Sequence, residues 1–359
     1  MLNICLVCLI IIIEINRVTP KKHHKDHHHD DHHHQDYFWD DYPSYSREEY
    51  RQQPVRGSYR QQLPTRNGYR QQFQMGNGYR QQFPTGNYYT QQFPTDDEGI
   101  CGLTPVVNKL IVNGQDLEEG TFPWLAAIFS VKTDGPSFIC GGTLITLKHI
   151  VTAAHCVRYS NKQTANPKDL LVVLGKCDLS GMGAADMLKV ASIQPHNDYK
   201  FLSADGDIAV IELQNDLVLN KSIKPACLWS GDDSIEAVVG EVGVVAGWGK
   251  TEKGVLSLSQ PKFAKMPIVS QEQCLRSHPQ FAAVTSSRTL CAGNNDGSGP
   301  CNGDSGGGLM IRRNGQWALR GLVSLSLASG VPVLGCDLSL YVVFTDVSKY
   351  SDWLYSVIK

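Results

Sequence analysis

The stretch from Trp124 to Cys156 reads WLAAIFSVKTDGPSFICGGTLITLKHIVTAAHC. It holds two short apolar runs, WLAAIFSV and FICGGTLIT, and ends on a histidine beside a cysteine. Similar runs recur as DLLVVLG (169–175), DIAVIEL (207–213), VGVVAGWG (242–249) and WALRGLVSLSL (317–327). They are punctuated by Gly, Asn and Pro, which is the texture of strands. Helical spacing appears mainly at the end, at Val347, Tyr350, Trp353, Leu354 and Val357. Many strands with a late helix predict an all-β fold of sandwich or barrel type.

Upstream the texture is different. Residues 21–41 form a histidine–aspartate tract, KKHHKDHHHDDHHHQDYFWDD, with eight histidines between His23 and His34. A repeat of about ten residues follows, opening on Tyr-Arg-Gln-Gln at Tyr59, Tyr69 and Tyr79, too short a period for a solenoid unit. Each copy has too little apolar surface to offset chain entropy, so residues 20–100 are expected to be disordered. Neutral imidazoles at this density offer ligands for a transition metal, although a plain spacer explains the tract as well. No required cofactor is expected.

The run from Ile4 to Ile13 is apolar and is broken by Glu14. Roughly ten such residues suit a signal-peptide core and are too few to span a bilayer. Residues 1–19 are therefore read as a signal peptide, and the protein as secreted and extracellular. Of 11 cysteines, Cys5 and Cys8 fall in that signal. The rest lie at or after Cys101 without the tight pairs of a zinc site, so no metal site is expected there and they read as disulfides. A formal charge of −2 argues against nucleic acid or an anionic membrane as the main partner. Nothing in the composition bears on oligomeric state.

Three segments carry chemistry: Thr152-Ala153-Ala154-His155-Cys156, Asp207-Ile208-Ala209-Val210 and Gly303-Asp304-Ser305-Gly306-Gly307. Each alone has a bland reading: a structural histidine, an aspartate cap, a glycine turn. In this order, with separations of 52 and 98 residues, they form a nucleophilic constellation. A serine hydroxyl is a weak nucleophile and needs a neighbouring base. His155 can take that proton and return it to a leaving amine, while Asp207 orients the imidazole.

From about Cys101 to Lys359 the chain resembles the chymotrypsin–trypsin family of serine proteases. Supporting matches are Ile111-Val112-Asn113-Gly114, Phe122-Pro123-Trp124, Cys140-Gly141-Gly142, Gly247-Trp248-Gly249 and the terminal segment with Trp353. The resemblance implies two six-stranded antiparallel β-barrels with a C-terminal helix, preceded by the disordered N-terminal region. It implies His155, Asp207 and Ser305 as the catalytic triad, and the N–H groups of Gly303 and Ser305 as an oxyanion hole. It also implies the bridges Cys101–Cys227, Cys140–Cys156, Cys274–Cys291 and Cys301–Cys336. A further family bridge is missing at both ends, where Gly243 and Ile311 stand. Cys177 is left over, as a buried free thiol or an intermolecular bridge. Asn220 heads an Asn-Lys-Ser sequon and is taken as a glycosylation acceptor.

The resemblance further places Gly299 at the floor of the primary specificity pocket, with Ser324, Ser326 and Val342 along the substrate. No acidic residue at Gly299 argues against cleavage after Arg or Lys. Ser326 and Val342 narrow the pocket, favouring Leu, Val or Ala before the scissile bond. Asp337 is near enough in sequence to lend a charge, Leu325 alters the adjoining wall, and Tyr341 stands where some relatives bind sodium. Residues 101–110 end an activation peptide and 111–359 form the protease domain, with Ile111 as mature N-terminus and Asp304 as its ionic partner. The residue before Ile111 is Leu110, so cleavage after Lys109 or after Leu110 stays open. The closest resemblance is to invertebrate cascade proteases, the gastrulation-defective-like group among them, whose substrates are proteins, including other zymogens. Two other classes remain: a catalytically weak homologue, and a metal-binding or matrix-associated protein acting through the His-rich tail.

Overall fold

A computed structural model of the chain describes residues 101–104, 117–159, 163–200, 203–251, 254–327 and 336–359. The signal segment, the repeat tract and Ile111 lie outside the described residues.

The two opening runs form a hairpin, β1 (Leu125–Lys132) and β2 (Gly135–Leu144), in register from Leu125 opposite Thr143 to Lys132 opposite Gly135. Four more strands follow: β3 (His149–Thr152), β4 (Leu170–Leu174), β5 (Leu188–Pro195) and β6 (Ala209–Leu213). They close a barrel in the order β1-β2-β3-β6-β5-β4. Closure removes the free edges that an open sheet would expose. The core of this barrel holds Ile128, Leu144, Ile150 and Ile211, all fully buried.

The second barrel is built from β8 (Val242–Gly247), β9 (Lys262–Val269), β10 (Thr289–Ala292), β11 (Gly308–Arg313), β12 (Gln316–Ser326) and β13 (Val342–Asp346). Its order is β11-β8-β9-β10-β13-β12, and a β11–β12 pairing closes it. A two-residue strand, β7 (Cys227–Leu228), adds to β12 in parallel, which family resemblance alone did not indicate. Met266, Ile268, Leu309 and Phe344 fill the interior, and each such side chain contributes about 1.5–3 kcal/mol on burial.

Helices are few. Ser270 caps α1 (Gln271–Ser277) by accepting from the Gln273 N–H at 3.1 Å. A one-turn α2 (Phe281–Val284) follows. The terminal periodicity resolves into a 3₁₀ turn, Val347–Tyr350, and then α3 (Ser351–Val357), which buries Leu354. All four expected disulfides are present. Where the fifth is missing, a side chain on Gly243 would meet Leu309 Cδ1 at 2.5 Å, so an apolar residue fills the space. Cys177 is a free, half-buried thiol; burial first, and then Glu119, push its pKa up to about 11, so it stays protonated.

One buried ion pair ties the start of β12 to the end of β13. Arg320 Nη2 donates to Asp346 Oδ2 at 3.0 Å, and the guanidinium lies 4.6 Å from the Trp229 ring centroid. The Nη groups also donate to the carbonyls of Asp232, Asp233 and Ser234, while Nε has no hydrogen-bond partner. Removing one member of a buried pair strands the other, at about 3–5 kcal/mol. Arg320→Ala is therefore expected to lose that much stability in urea titration. Asp346→Asn should lose less, because Asp346 also caps Ser348 through hydrogen bonds an amide oxygen can still accept. A loss in Arg320→Ala no larger than that of an exposed pair, about 0–1 kcal/mol, would contradict the stranded-charge account.

Candidate active site

His155 lies in the 3₁₀ turn Ala154–Cys156, just after β3, and the Cys140–Cys156 bridge fixes that turn to β2. Asp207 directly precedes β6, and β3 pairs with β6, so the first barrel brings the two together. The His155 backbone N–H donates to Asp207 Oδ1 at 2.9 Å, and the ring Nδ1 lies 2.8 Å from Oδ2. With a carboxylate as acceptor, Nδ1 carries the proton and Nε2 is left as the base. Ser324, expected along the substrate, donates its hydroxyl to Asp207 Oδ2 at 2.6 Å. Asp207 is 1% exposed, so these donors stand in for water around its carboxylate.

The second barrel supplies the nucleophile. Ser305 sits in the turn before β11, with its carbonyl accepting from Gly141 N–H at 2.9 Å and lying 3.7 Å from Cys156 Sγ. The next residue, Gly306, has φ of +77°, and a Cβ there would meet Thr152 Oγ1 at 2.1 Å. Only glycine allows this turn to close on the end of β3, where His155 follows. The cluster of Cys140, Cys156 and His155 within 4.8 Å is not a metal site, since the two sulfurs are bonded to each other.

The oxyanion donors are set by backbone pairing. Lys250 N–H donates to the Asn302 carbonyl at 2.8 Å. In a trans peptide the next N–H points the opposite way, so that of Gly303 faces away from Lys250. Among the described residues no backbone carbonyl takes the N–H of Gly303 or of Ser305. Two such donors beside a nucleophile can stabilise a developing oxyanion, each worth about 3–4 kcal/mol of barrier. Asp304, between them, is buried with its carboxylate against Gly247 and Gly249, accepting from Gly249 N–H at 2.8 Å and Cys301 N–H at 3.0 Å. Burial pushes its pKa up to about 6, against the pull of those two hydrogen bonds. Among the described residues it has no ion-pair partner.

The expected pocket floor is apolar. A side chain on Gly299 would meet Leu338 Cδ2 at 3.3 Å, Met266 Cε at 3.8 Å and Val342 Cγ2 at 3.9 Å. Ser326 lies opposite Val342 in the β12–β13 register. Asp337 gives its carboxylate to the N–H and hydroxyl of Ser339. Its neighbour Leu338 reaches Gly299, which the sequence did not reveal, because the long stretch before Cys336 leaves the following register unfixed. Tyr341 is buried, and its hydroxyl accepts from Gln273 Nε2 at 2.8 Å, a packing role. Asn220 is exposed; its Oδ1 accepts from the N–H groups of Ser222 and Ile223.

A base held by a buried carboxylate, a serine on a glycine turn and paired backbone donors define a serine endopeptidase. Residues 111–354 match the Trypsin family model, and the chain belongs to that family. It is 36% identical to serine protease gd of Drosophila melanogaster, over 66% of this chain and 51% of that protein, so it spans about half of gd. It is similar to CLIP domain-containing serine protease B15 of Anopheles gambiae, at 31% identity over 72% of this chain and 71% of that protein. Phenoloxidase-activating factor 1 of Holotrichia diomphalia is 34% identical, over 71% of each.

Burial by itself lowers the His155 pKa, but the charge of Asp207 and its hydrogen bond outweigh this, leaving the value raised. The pair thus contributes stability below the ordinary imidazole pKa, and this is lost as pH rises through the higher folded value. In catalysis the sign is opposite, because the imidazole must be neutral to accept the serine proton. The acid limb of a kcat/KM profile is expected above about pH 6.5. A limb at or below that value would contradict the Asp207 pairing.

Proposed function

We propose that this chain is a secreted zymogen of an extracellular proteolytic cascade, cleaving protein substrates after small or medium apolar residues. The observation that carries the specificity is the floor at Gly299, where the side chains nearest a Cβ are Leu338, Met266 and Val342, all apolar. Such a floor offers dispersion and dehydration to Leu, Val or Ala, and no counter-charge to Lys or Arg. Names among the relatives, such as phenoloxidase-activating factor 1 and the proclotting enzyme of Tachypleus tridentatus, support a place in a cascade. The apolar leader and the disulfides support secretion. Among the described residues no helix is long and apolar enough to cross a membrane.

Activation follows from Asp304. A buried carboxylate with its pKa pushed up to about 6 is poorly compensated, and a cation beside it would offset that cost. The ammonium of Ile111, freed by cleavage, is that cation. Loss of such a buried pair costs about 3–5 kcal/mol, so the uncut chain is nearly inactive. The cut follows Leu110, and the apolar floor makes another copy of this protein the cutting enzyme.

Mixing active enzyme with a Ser305→Ala zymogen is expected to release fragments beginning at Ile111, read by N-terminal sequencing. An uncut zymogen, or one cut only after Lys109, would defeat self-activation; a peptide library cleaved mainly after Arg or Lys would defeat the pocket reading.

The His-rich tract carries a second, separate role as a transition-metal ligand, supported by eight imidazoles within residues 23–34. Calorimetry of a peptide covering 21–36 with zinc at neutral pH is expected to show saturable heat. A flat titration removes this role.

A further inference from the structure

The turn that presents Asp207 rests on contacts outside the triad. Gly206 has φ of +72°, and its N–H donates to the Tyr350 hydroxyl at 2.9 Å. A Cβ there would meet Tyr199 N at 2.8 Å and the Asp198 carbonyl carbon at 2.9 Å. The turn is thus packed on the Asp198–Tyr199 backbone, and any shift of that backbone reaches the next residue, Asp207.

Both sides of this contact are held by one side chain from the other barrel. Arg288, immediately before β10, forks onto Asp205, with Nε to Oδ1 at 2.8 Å and Nη2 to Oδ2 at 2.7 Å. Its Nη1 donates to Asp198 Oδ2 at 2.8 Å. The guanidinium lies 5.3 Å from the Tyr350 ring centroid, on the same phenol that holds Gly206. Arg288 is itself anchored, since its carbonyl accepts from the Asp346 N–H at 2.9 Å, and Ser286 adds a 2.8 Å hydrogen bond to Asp205 Oδ1.

The charges around this point are few. Asp198 and Asp205 have their pKa values lowered, chiefly by the hydrogen bonds from Arg288, and so remain ionised. His196, lowered by burial first, is neutral near pH 7. Burial keeps Tyr199 and Tyr350 as neutral phenols. Arg158 and Asp207 both act on Tyr199, with opposite signs. Arg288 is thus the cation bound directly to the two carboxylates that flank the turn, and a guanidinium keeps its charge across the working pH range.

We propose that Arg288 is a positioning residue for the catalytic carboxylate: its grip on Asp205 and Asp198 fixes the turn at Gly206 and cancels charge that those two groups would otherwise add to the field of Asp207 at His155. The fork supplies geometry and the cation supplies neutrality, so the two effects separate by substitution.

The test uses the activated full-length enzyme with a peptide ester substrate, measuring kcat, KM and the pH profile. In Arg288→Met both effects are lost. The expected kcat falls about tenfold or more, since small misplacements of catalytic groups are costly, while KM stays within about twofold. Its acid limb moves up, because two uncompensated carboxylates favour the imidazolium. In Arg288→Met/Asp205→Asn the limb returns towards the wild-type value while kcat stays low. Arg288→Lys keeps the charge without the fork, so it keeps the limb and loses part of kcat. That variant, the mildest, also decides the matter if the methionine variant does not fold. A wild-type limb in Arg288→Met, or full kcat in Arg288→Lys, would overturn the proposal. So would a loss confined to thermal stability.

Discussion

A carboxylate 1% exposed to solvent has to find its hydrogen-bond donors inside the protein, and Asp207 draws them from both barrels. His155 gives two N–H groups from the first barrel, and Ser324 gives a hydroxyl from the second. Its own carbonyl accepts from Thr345 Oγ1 of β13 at 2.8 Å. An ionised group in a dry setting costs several kcal/mol unless it is met in this way. The arrangement therefore couples catalysis to architecture. The charge at the junction of the barrels is met by donors from both.

Asp304 shows the same constraint met differently. It too is buried, but its donors are two backbone N–H groups, from Gly249 and Cys301, with no side-chain cation among the described residues. One aspartate thus raises the proton affinity of a neighbour, His155, while the other has its own proton affinity raised by burial. Glycines at 247 and 249 leave room for the second carboxylate, because a Cβ at either would overlap its oxygens.

The parts of this structure that were legible in the sequence are those whose chemistry is local. A histidine after an apolar run, an aspartate before one and a serine between glycines keep their meaning without knowledge of distant contacts, and the structure pairs His155 with Asp207. Strands were legible as short apolar runs, whereas closure of each barrel was not, because it depends on pairings such as β1 with β4 that are remote in sequence. No motif in the sequence singles out Arg288 or Arg320. Their importance comes from partners 83 and 26 residues away. Leu338 was hidden by loop length, and the hydrogen bond from Ser324 to Asp207 was not legible because spacing fixes a position and leaves its rotamer open.

The bridge between Cys101 and Cys227 has a consequence for the molecule's later life. Cys101 is bonded to β7, Gly102 pairs with Trp317 through a 2.9 Å hydrogen bond, and a Cβ on Gly102 would strike the Trp317 carbonyl at 2.4 Å. The short segment is thus sewn to the second barrel. A cut anywhere between residues 105 and 116 severs the backbone and leaves the two pieces covalently joined. The histidine tract and the repeats then remain as luggage of the mature enzyme. Whatever surface or ion they hold would keep the protease concentrated at that place, with the local concentration set by tether length. Reduction of this single bond would part the two pieces of a chain so cut.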